Sequence, residues 1–212
     1  MIIAVDGPAA SGKGTLARRL AKHFGLQYLD TGALYRAVAR DVQRAGFRLD
    51  DVWAAVALAR GLDPESLNDE DLRLRGVGEA ASIVARILPV RAALLDYQRA
   101  FAERPPGAVL DGRDIGTVVC RDADAKLYVT ATAQVRAQRR LREWQSRDEQ
   151  TSYDIVLADI QARDLRDKGR TASPLKPAAD AILLDTTDLD IEAVFDAAVG
   201  LIKRKMTSSG KP

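Results

Sequence analysis

Short apolar runs alternate along the chain with longer stretches in which apolar residues recur every three or four positions. Ile2-Ile3-Ala4-Val5 is continuously apolar and stops at Asp6-Gly7-Pro8, which predicts a buried strand followed by a turn. Leu16, Leu20 and Phe24 then fall at helical spacing, with Gly25 as the stop. Residues 27–29 predict a second short strand, 33–45 a helix ended by Gly46, and 52–59 another helix. Residues 61–78 are different. They are acidic, hold the chain's one asparagine (Asn68) and alternate weakly through Leu72-Arg73-Leu74-Arg75, which predicts an inserted, exposed segment. Helical patterns return over 79–87 and 90–103 and break at Pro105-Pro106-Gly107. Residues 108–110 and 126–129 predict two more buried strands, the first leading into Asp111-Gly112-Arg113-Asp114. Ala133, Ala137, Leu141 and Trp144 form one apolar stripe of a helix. A polar loop (146–152), a helix (153–167), a loop (169–177) and a fifth strand (181–184) follow. The last helix carries Ile191, Val194, Phe195, Ala198, Val199 and Ile202 on one stripe, and Lys203, Arg204 and Lys205 suit its C-terminal dipole. A frayed tail is expected over 207–212.

Apolar strands separated by helices imply an α/β fold, a parallel sheet covered on both faces. Ligands of such sheets bind beyond the C-terminal strand ends. Chemistry is therefore expected just after Val5, Leu29, Leu110 and Leu184.

Composition removes several classes. The 212 residues carry a net charge of +2, with 47% hydrophobic and 29% charged residues, the profile of an ordinary globule. One cysteine (Cys120) and one histidine (His23) leave no internal disulfide, no Cys-rich zinc site and no His-based metal cluster. A buried core thiol and a helix-surface imidazole are the expected places for them. The longest uncharged apolar run is 52–59, far short of the roughly 20 residues that span a bilayer. No basic stretch precedes a long apolar core at the N-terminus, so a cytoplasmic chain without membrane partner is expected. The near-neutral charge speaks against nucleic acid. The basic residues are skewed, however: 24 Arg against 8 Lys. Arg suits bidentate phosphate recognition, so position has to decide what they do.

Gly7-Pro8-Ala9-Ala10-Ser11-Gly12-Lys13 matches G-x-x-x-x-G-K between a strand and a helix. Gly7, Ala10, Ser11 and Gly12 would wrap backbone N–H groups around phosphate, the helix N-terminus adds positive potential, and Lys13 reaches the terminal phosphates. The next position departs from the general pattern: Gly14 stands where Ser or Thr is expected, and Thr15 follows. The displaced hydroxyl leaves two roles open, Mg²⁺ or phosphate. The motif marks a nucleoside triphosphate site. An N-K-x-D base reader is missing, which excludes an ordinary GTPase switch.

Other clusters sit where ligands are expected. Asp30-Thr31-Gly32-Ala33-Leu34-Tyr35-Arg36 puts a hydroxyl, a helix start and Arg36 at a strand end. It is either a cap with a surface arginine or a second anion or base pocket. Asp111 is either a metal-organising acid or a turn residue. Asp114 can accept from a base amine, and Arg113 between two acids suits phosphate or a salt bridge. Arg136, Arg139, Arg140 and Arg147 lie opposite or beside the apolar stripe of their helix, and Arg163, Asp167 and Arg170 share one face of the next. These are either solvated faces or a lid that brings arginines over phosphates. Arg91, after Pro89, is a lone arginine.

These residues resemble the bacterial cytidylate kinases, nucleoside monophosphate kinases of the P-loop class. The matching segments are Asp6 to Thr15, Leu29-Asp30-Thr31-Gly32-Ala33-Leu34-Tyr35-Arg36, Asp111-Gly112-Arg113-Asp114-Ile115-Gly116-Thr117-Val118-Val119, and Arg163-Asp164 through Asp167 to Arg170. The G-K-G-T form is shared by nucleoside monophosphate kinases at large; D-G-R-D-I-G-T-V-V is the specific part. The resemblance implies a three-layer α/β/α fold with a five-stranded parallel sheet. It implies a core of 1–60, 89–135 and 175–206, a shortened monophosphate-binding insert at 61–88 and a helical lid at 136–172. It implies ATP with Mg²⁺ as donor, CMP and dCMP as acceptors, and a monomer. Gly12, Lys13, Gly14 and Thr15 would hold ATP phosphates. Thr31 would lie near cytosine, and Asp114, Arg91 and Arg170 would read the pyrimidine. Arg36 and Arg113 would hold the monophosphate; Ser82, Arg163 and Asp167 would lie near the sugar. Arg139 and Arg140 would act from the lid helix, with Lys13, Arg113 and Arg163, on the transferring phosphate. No residue is assigned as a metal ligand. Many family members carry a longer insert with a small sheet where this chain has only 61–78. A kinase for another monophosphate such as UMP, and a regulatory protein that hydrolyses ATP slowly, are the alternatives. A uracil carbonyl prefers a donor where Asp114 offers an acceptor.

Overall fold

The computed structural model of the chain describes residues 1–74, 76–147 and 150–208. Its elements are β1 (Ile2–Asp6), α1 (Lys13–Phe24), β2 (Gln27–Asp30), α2 (Thr31–Arg44), α3 (Val52–Arg60), α4 (Val77–Val84), α5 (Leu88–Ala102), β3 (Ala108–Gly112), β4 (Ala125–Thr130), α6 (Ala133–Gln145), α7 (Tyr153–Lys168), β5 (Ile182–Asp185) and α8 (Ile191–Ser208). Two 3₁₀ turns, Pro64–Asn68 and Glu70–Arg73, lie between α3 and α4, and one wide π-type turn, Ile115–Val119, follows β3. The expected tail is helical through Ser208, and 209–212 lie outside the described residues, as do Arg75 of the 72–75 alternation and residues 148–149 of the expected loop.

The five strands lie in the order β2-β3-β1-β4-β5. β1 pairs in parallel with β3 (Val5 opposite Asp111) and with β4 (Val5 opposite Leu127), and β4 pairs in parallel with β5. The α/β expectation is met. The chain runs to opposite sides of β1 in its later crossovers, so the loop after β1 opens at the switch point of the sheet.

Two compact units make up the chain: Met1–Leu29 with Arg104–Pro212, and Asp30–Glu103. In the first, Ile3, Val5, Val109, Leu127 and Val129 of the sheet pack with Leu16 and Leu20 of α1 and with Val194, Ala198 and Ile202 of α8. Burying one such side chain contributes about 1.5–3 kcal/mol, which fixes the helix stripes read above against the sheet. A smaller cluster of Ala137, Val156 and Ile160 joins α6 to α7 and takes in Leu141, Trp144 and Ala10. Cys120 is buried and His23 is exposed, stacked edge-on to Phe24 and Phe195.

In the second unit, Leu34, Val38 and Val42 of α2 pack with Ala81 and Val84 of α4 and with Val90 and Leu94 of α5. Segment 61–78 is largely exposed, as expected, and is tied to α2 at a few points. Leu72 is buried against Ala33 and Ala37, Arg40 of α2 donates to Asp69 at 2.5 Å, and Arg44 pairs with Asp71 at 2.5 Å. One buried leucine, with Leu62 and Leu67 packed partly buried beside it, leaves almost no periodicity among the acids, and the arginine partners lie on α2. Among the described residues no helix is long and apolar enough to cross a membrane.

Candidate active site

Residues 7–12 form a phosphate loop between β1 and α1. Gly7 (φ 154°) runs against β4 so closely that a Cβ there would lie 2.0 Å from the Val129 carbonyl oxygen. Gly12 (φ 86°) caps α1 in the left-handed region, which turns the loop onto the helix N-terminus. Ala10 also takes a left-handed conformation (φ 58°). Lys13 opens α1, and Thr15 stands exposed in its first turn. Ser11 is fully buried; its carbonyl accepts from Thr186 Oγ1 at 3.2 Å and Arg139 Nη1 at 3.4 Å, and its Oγ has no hydrogen-bond partner. Arg139 is held further by the Thr186 carbonyl at 2.6 Å and Thr186 Oγ1 at 2.9 Å. Burial, with the nearby Arg142 charge, lowers its pKa. Arg139, which the resemblance implied on a lid helix, has its guanidinium against the loop.

Asp6, last residue of β1, is buried and accepts from the N–H groups of Ile115 and Gly116, both at 2.8 Å. It braces the π-type turn that follows Arg113 and Asp114. Burial pushes its carboxyl up to about 7 against the pull of those two amides. Asp114 is itself buried. Asp111 is buried at the end of β3 and accepts from Tyr28 Oη at 3.1 Å.

Asp167 is the centre of a third group. Arg113 Nε donates to its Oδ2 at 2.9 Å, Arg170 donates to its Oδ1, and Arg163 lies 4.0 Å away. Burial opposes its ionisation, but the charges of Arg113, Arg170 and Arg163 hold its carboxyl below the usual carboxylate range. The helical spacing expected for Arg163, Asp167 and Arg170 is realised only in part. α7 ends at Lys168, and Arg170 reaches Asp167 from the turn beyond it.

A phosphate-type loop, the buried acid Asp114 and an arginine-ringed carboxylate thus share the first unit. A family model described as cytidylate kinase matches residues 3–204. The chain belongs to the cytidylate kinase family. Cytidylate kinases of Methylocella silvestris and Azorhizobium caulinodans are 59% and 58% identical to it; each alignment covers 96% of this chain, and 94% and 98% of theirs. Two solved structures share the fold: a Eubacterium ventriosum protein (TM-score 0.58, 14% identity, 96% of this chain and 98% of that one) and a Thermus thermophilus protein (0.51, 18%, 97% of each).

Mg²⁺, which kinases of this family imply, fits the donor chemistry. The Asp111 carboxylate, so near the first turn of α1 that a Cβ on Gly14 would lie 3.2 Å from its Oδ2, and the exposed Thr15 hydroxyl are hard oxygen donors of the kind Mg²⁺ takes. Among the described residues no group of three or more His, Cys, Asp or Glu gathers, so phosphate and water oxygens would complete the shell.

The remaining family positions lie in the second unit, apart from Arg140 on α6 of the first. Asp30 caps α2 through Ala33 N (3.2 Å) and pairs with Arg36 at 2.6 Å; Thr31 is buried at the start of the same helix. Ser82 is buried on α4, and its Oγ has no hydrogen-bond partner. Arg91 donates to the Ala85 carbonyl at 3.3 Å and lies over the Tyr35 ring. Arg140 pairs with Glu143 at 3.1 Å and lies over Trp144.

Sequence reasoning missed Asp6, Thr186, Arg136 and Asp164 as site architecture. Asp6 and Thr186 each follow a buried strand run, where ligand chemistry was expected, and that position was the available signal. Arg136 was grouped with arginines read either as a solvated face or as a lid, and it is buried; no spacing rule separates it from Arg139 and Arg140.

Proposed function

We propose that the chain is a cytidylate kinase that transfers the γ-phosphoryl group of ATP to CMP or dCMP, giving ADP and CDP or dCDP. The observation that carries this reading is the match to cytidylate kinases over residues 3–204, which spans both the phosphate loop and the Asp111–Val119 run.

The acceptor phosphate is already anionic at pH 7, so the chemistry asks for alignment and charge neutralisation instead of a general base. The backbone of 7–15 and Lys13 hold the ATP phosphates, with Gly7, Ala10, Ser11, Gly12, Gly14 and Thr15 shaping the cradle. Bound Mg²⁺ supplies positive charge to the donor phosphates. Arg113, Arg139, Arg140 and Arg163 supply the rest around the group in transfer. Asp114 accepts from the cytosine amine. Asp167, kept ionised by its arginines, accepts from a ribose hydroxyl, and Arg170 is oriented by the same carboxylate. Thirty-one, thirty-six, eighty-two and ninety-one, as Thr31, Arg36, Ser82 and Arg91, are assigned to the acceptor nucleotide. In this reading the enzyme acts as a cytoplasmic monomer on small molecules, without nucleic acid or membrane.

The test is ADP release from ATP and Mg²⁺ with CMP, dCMP, UMP and AMP offered separately. Turnover with CMP and dCMP well above the others is the expected result. A preference for UMP or AMP overturns the cytosine assignment of Asp114, and no dependence on any monophosphate overturns the kinase reading.

A further inference from the structure

Arg136 does something that neither its neighbours on α6 nor the proposed chemistry accounts for. Its side chain is buried, and four hydrogen bonds fix it. Nε donates to the Ala131 carbonyl at the end of β4 (2.9 Å), and Nη1 to the Ala9 carbonyl inside the phosphate loop (3.2 Å). Nη1 and Nη2 grip the two carboxylate oxygens of Asp164 at 3.0 and 2.5 Å. Asp164 sits on α7 directly after Arg163 and three residues before Asp167. One rigid, planar guanidinium therefore joins the loop to the helix that carries the arginine-ringed carboxylate. Lys could not do this, because an ammonium is a point charge without the fork. The apolar cluster of α6 and α7 reinforces the link, since Ala10 of the loop packs into it.

We propose that Arg136 is a positioning residue that couples occupancy of the phosphate loop to acceptor binding at α7. Asp164 is its partner in that coupling. The proposal rests on the kinase reading above. A phosphate bound in the loop fixes the Ala9–Ala10 backbone. The Ala9 carbonyl then holds Arg136, and Arg136 holds the turn of α7 on which Arg163 and Asp167 stand. Neither Arg136 nor Asp164 needs to touch a nucleotide for this, which separates their role from that of Lys13 or Arg113. A guanidinium that merely braced the fold would change stability and leave the two ligands' mutual influence alone. Binding linkage is reciprocal, so the effect is readable from either ligand.

The experiment is calorimetric titration of CMP into the protein with and without a saturating non-hydrolysable ATP analogue and Mg²⁺. The parent, Asp164→Asn and Arg136→Lys are compared, and thermal unfolding confirms that each is folded. Asp164→Asn is nearly isosteric and keeps one acceptor oxygen, so it is the variant that preserves the fold. In the parent the analogue tightens CMP binding about fivefold or more, the lower end of ordinary coupling. In both variants that factor falls to within twofold of one, while affinity for the analogue alone changes little. Full coupling in folded Asp164→Asn overturns the proposal, as does no coupling in the parent. Parent protein that fails to phosphorylate CMP at all overturns the kinase reading itself, and this proposal with it, so the two failures are told apart by turnover.

Discussion

Gly7 and Gly12 bracket one loop, yet the structure assigns very different costs to the same substitution at each. A Cβ on Gly7 would sit 2.0 Å from the Val129 carbonyl oxygen, 3.1 Å from its carbon and 3.3 Å from Ser11 Oγ. Backbone of a central strand cannot rotate aside as a side chain can, so β1 and β4 must part by about an ångström, and overpacking of that kind costs roughly 1–3 kcal/mol or more. The unfavourable φ of 154° adds about 1–2 kcal/mol. Gly7→Ala is therefore expected to destabilise by about 2–5 kcal/mol. At Gly12 the nearest atom, Arg139 Nη1, is 3.9 Å away, so Gly12→Ala carries only the left-handed φ, about 1–2 kcal/mol. Each kcal/mol moves the melting temperature of a chain this long by about 2–4 °C. Scanning calorimetry and urea midpoints on both variants measure the gap directly. Gly7→Ala should melt several degrees below Gly12→Ala and lose ATP binding, because the loop moves with the strand end. Equal midpoints for the two, or a Gly7→Ala protein as stable as the parent, would refute the steric reasoning.

Lys13→Ala should lower kcat by about three orders of magnitude with an unfolding midpoint near that of the parent, and near-normal turnover would remove Lys13 from the site. Asp167→Asn leaves Arg113 and Arg170 without their counter-charge, so stability should drop by about 3–5 kcal/mol and KM for CMP should rise more than KM for ATP. An unchanged acceptor KM would count against the ribose assignment. The Asp167 pKa is lowered in the fold, so its contribution is present above the ordinary carboxylate range and fades only as pH falls through and below it. Asp6 has the opposite sign. Its carboxyl is raised to about 7, so the native state holds a proton that the unfolded chain releases, and stability declines as pH rises from about 4 to about 7. The integrated effect is on the order of 4 kcal/mol. Denaturation at pH 5 and pH 8 should show that decline in the parent and a flatter profile in Asp6→Asn; identical profiles would dismiss Asp6 as its source.

The sequence by itself determined the elements and the loop chemistry, because both are local. Ile2 to Val5 followed by Asp6-Gly7 is readable as a strand and turn from neighbouring residues alone. Gly12 before Lys13 predicts a helix start with N–H groups facing an anion for the same reason. The Asp111–Val119 run carried enough specific residues to suggest the family before any fold was known. Tertiary structure decided what depends on distant partners. Strand order came only from packing, since β1 touches β3 and β4, more than a hundred residues further along. The anchoring of 61–78 rests on Arg40 and Arg44 of α2. The four arginines of α6 look alike in sequence, because a 3.6-residue period gives direction and not depth. Only the approach of α7, the loop and the segment after β5 buries Arg136 on Asp164 and Ala9 and sets Arg139 against Thr186, while Arg140 keeps a partner of its own helix, Glu143. A guanidinium's role is set by which acceptors surround it once water is excluded, and those acceptors are chosen by the fold.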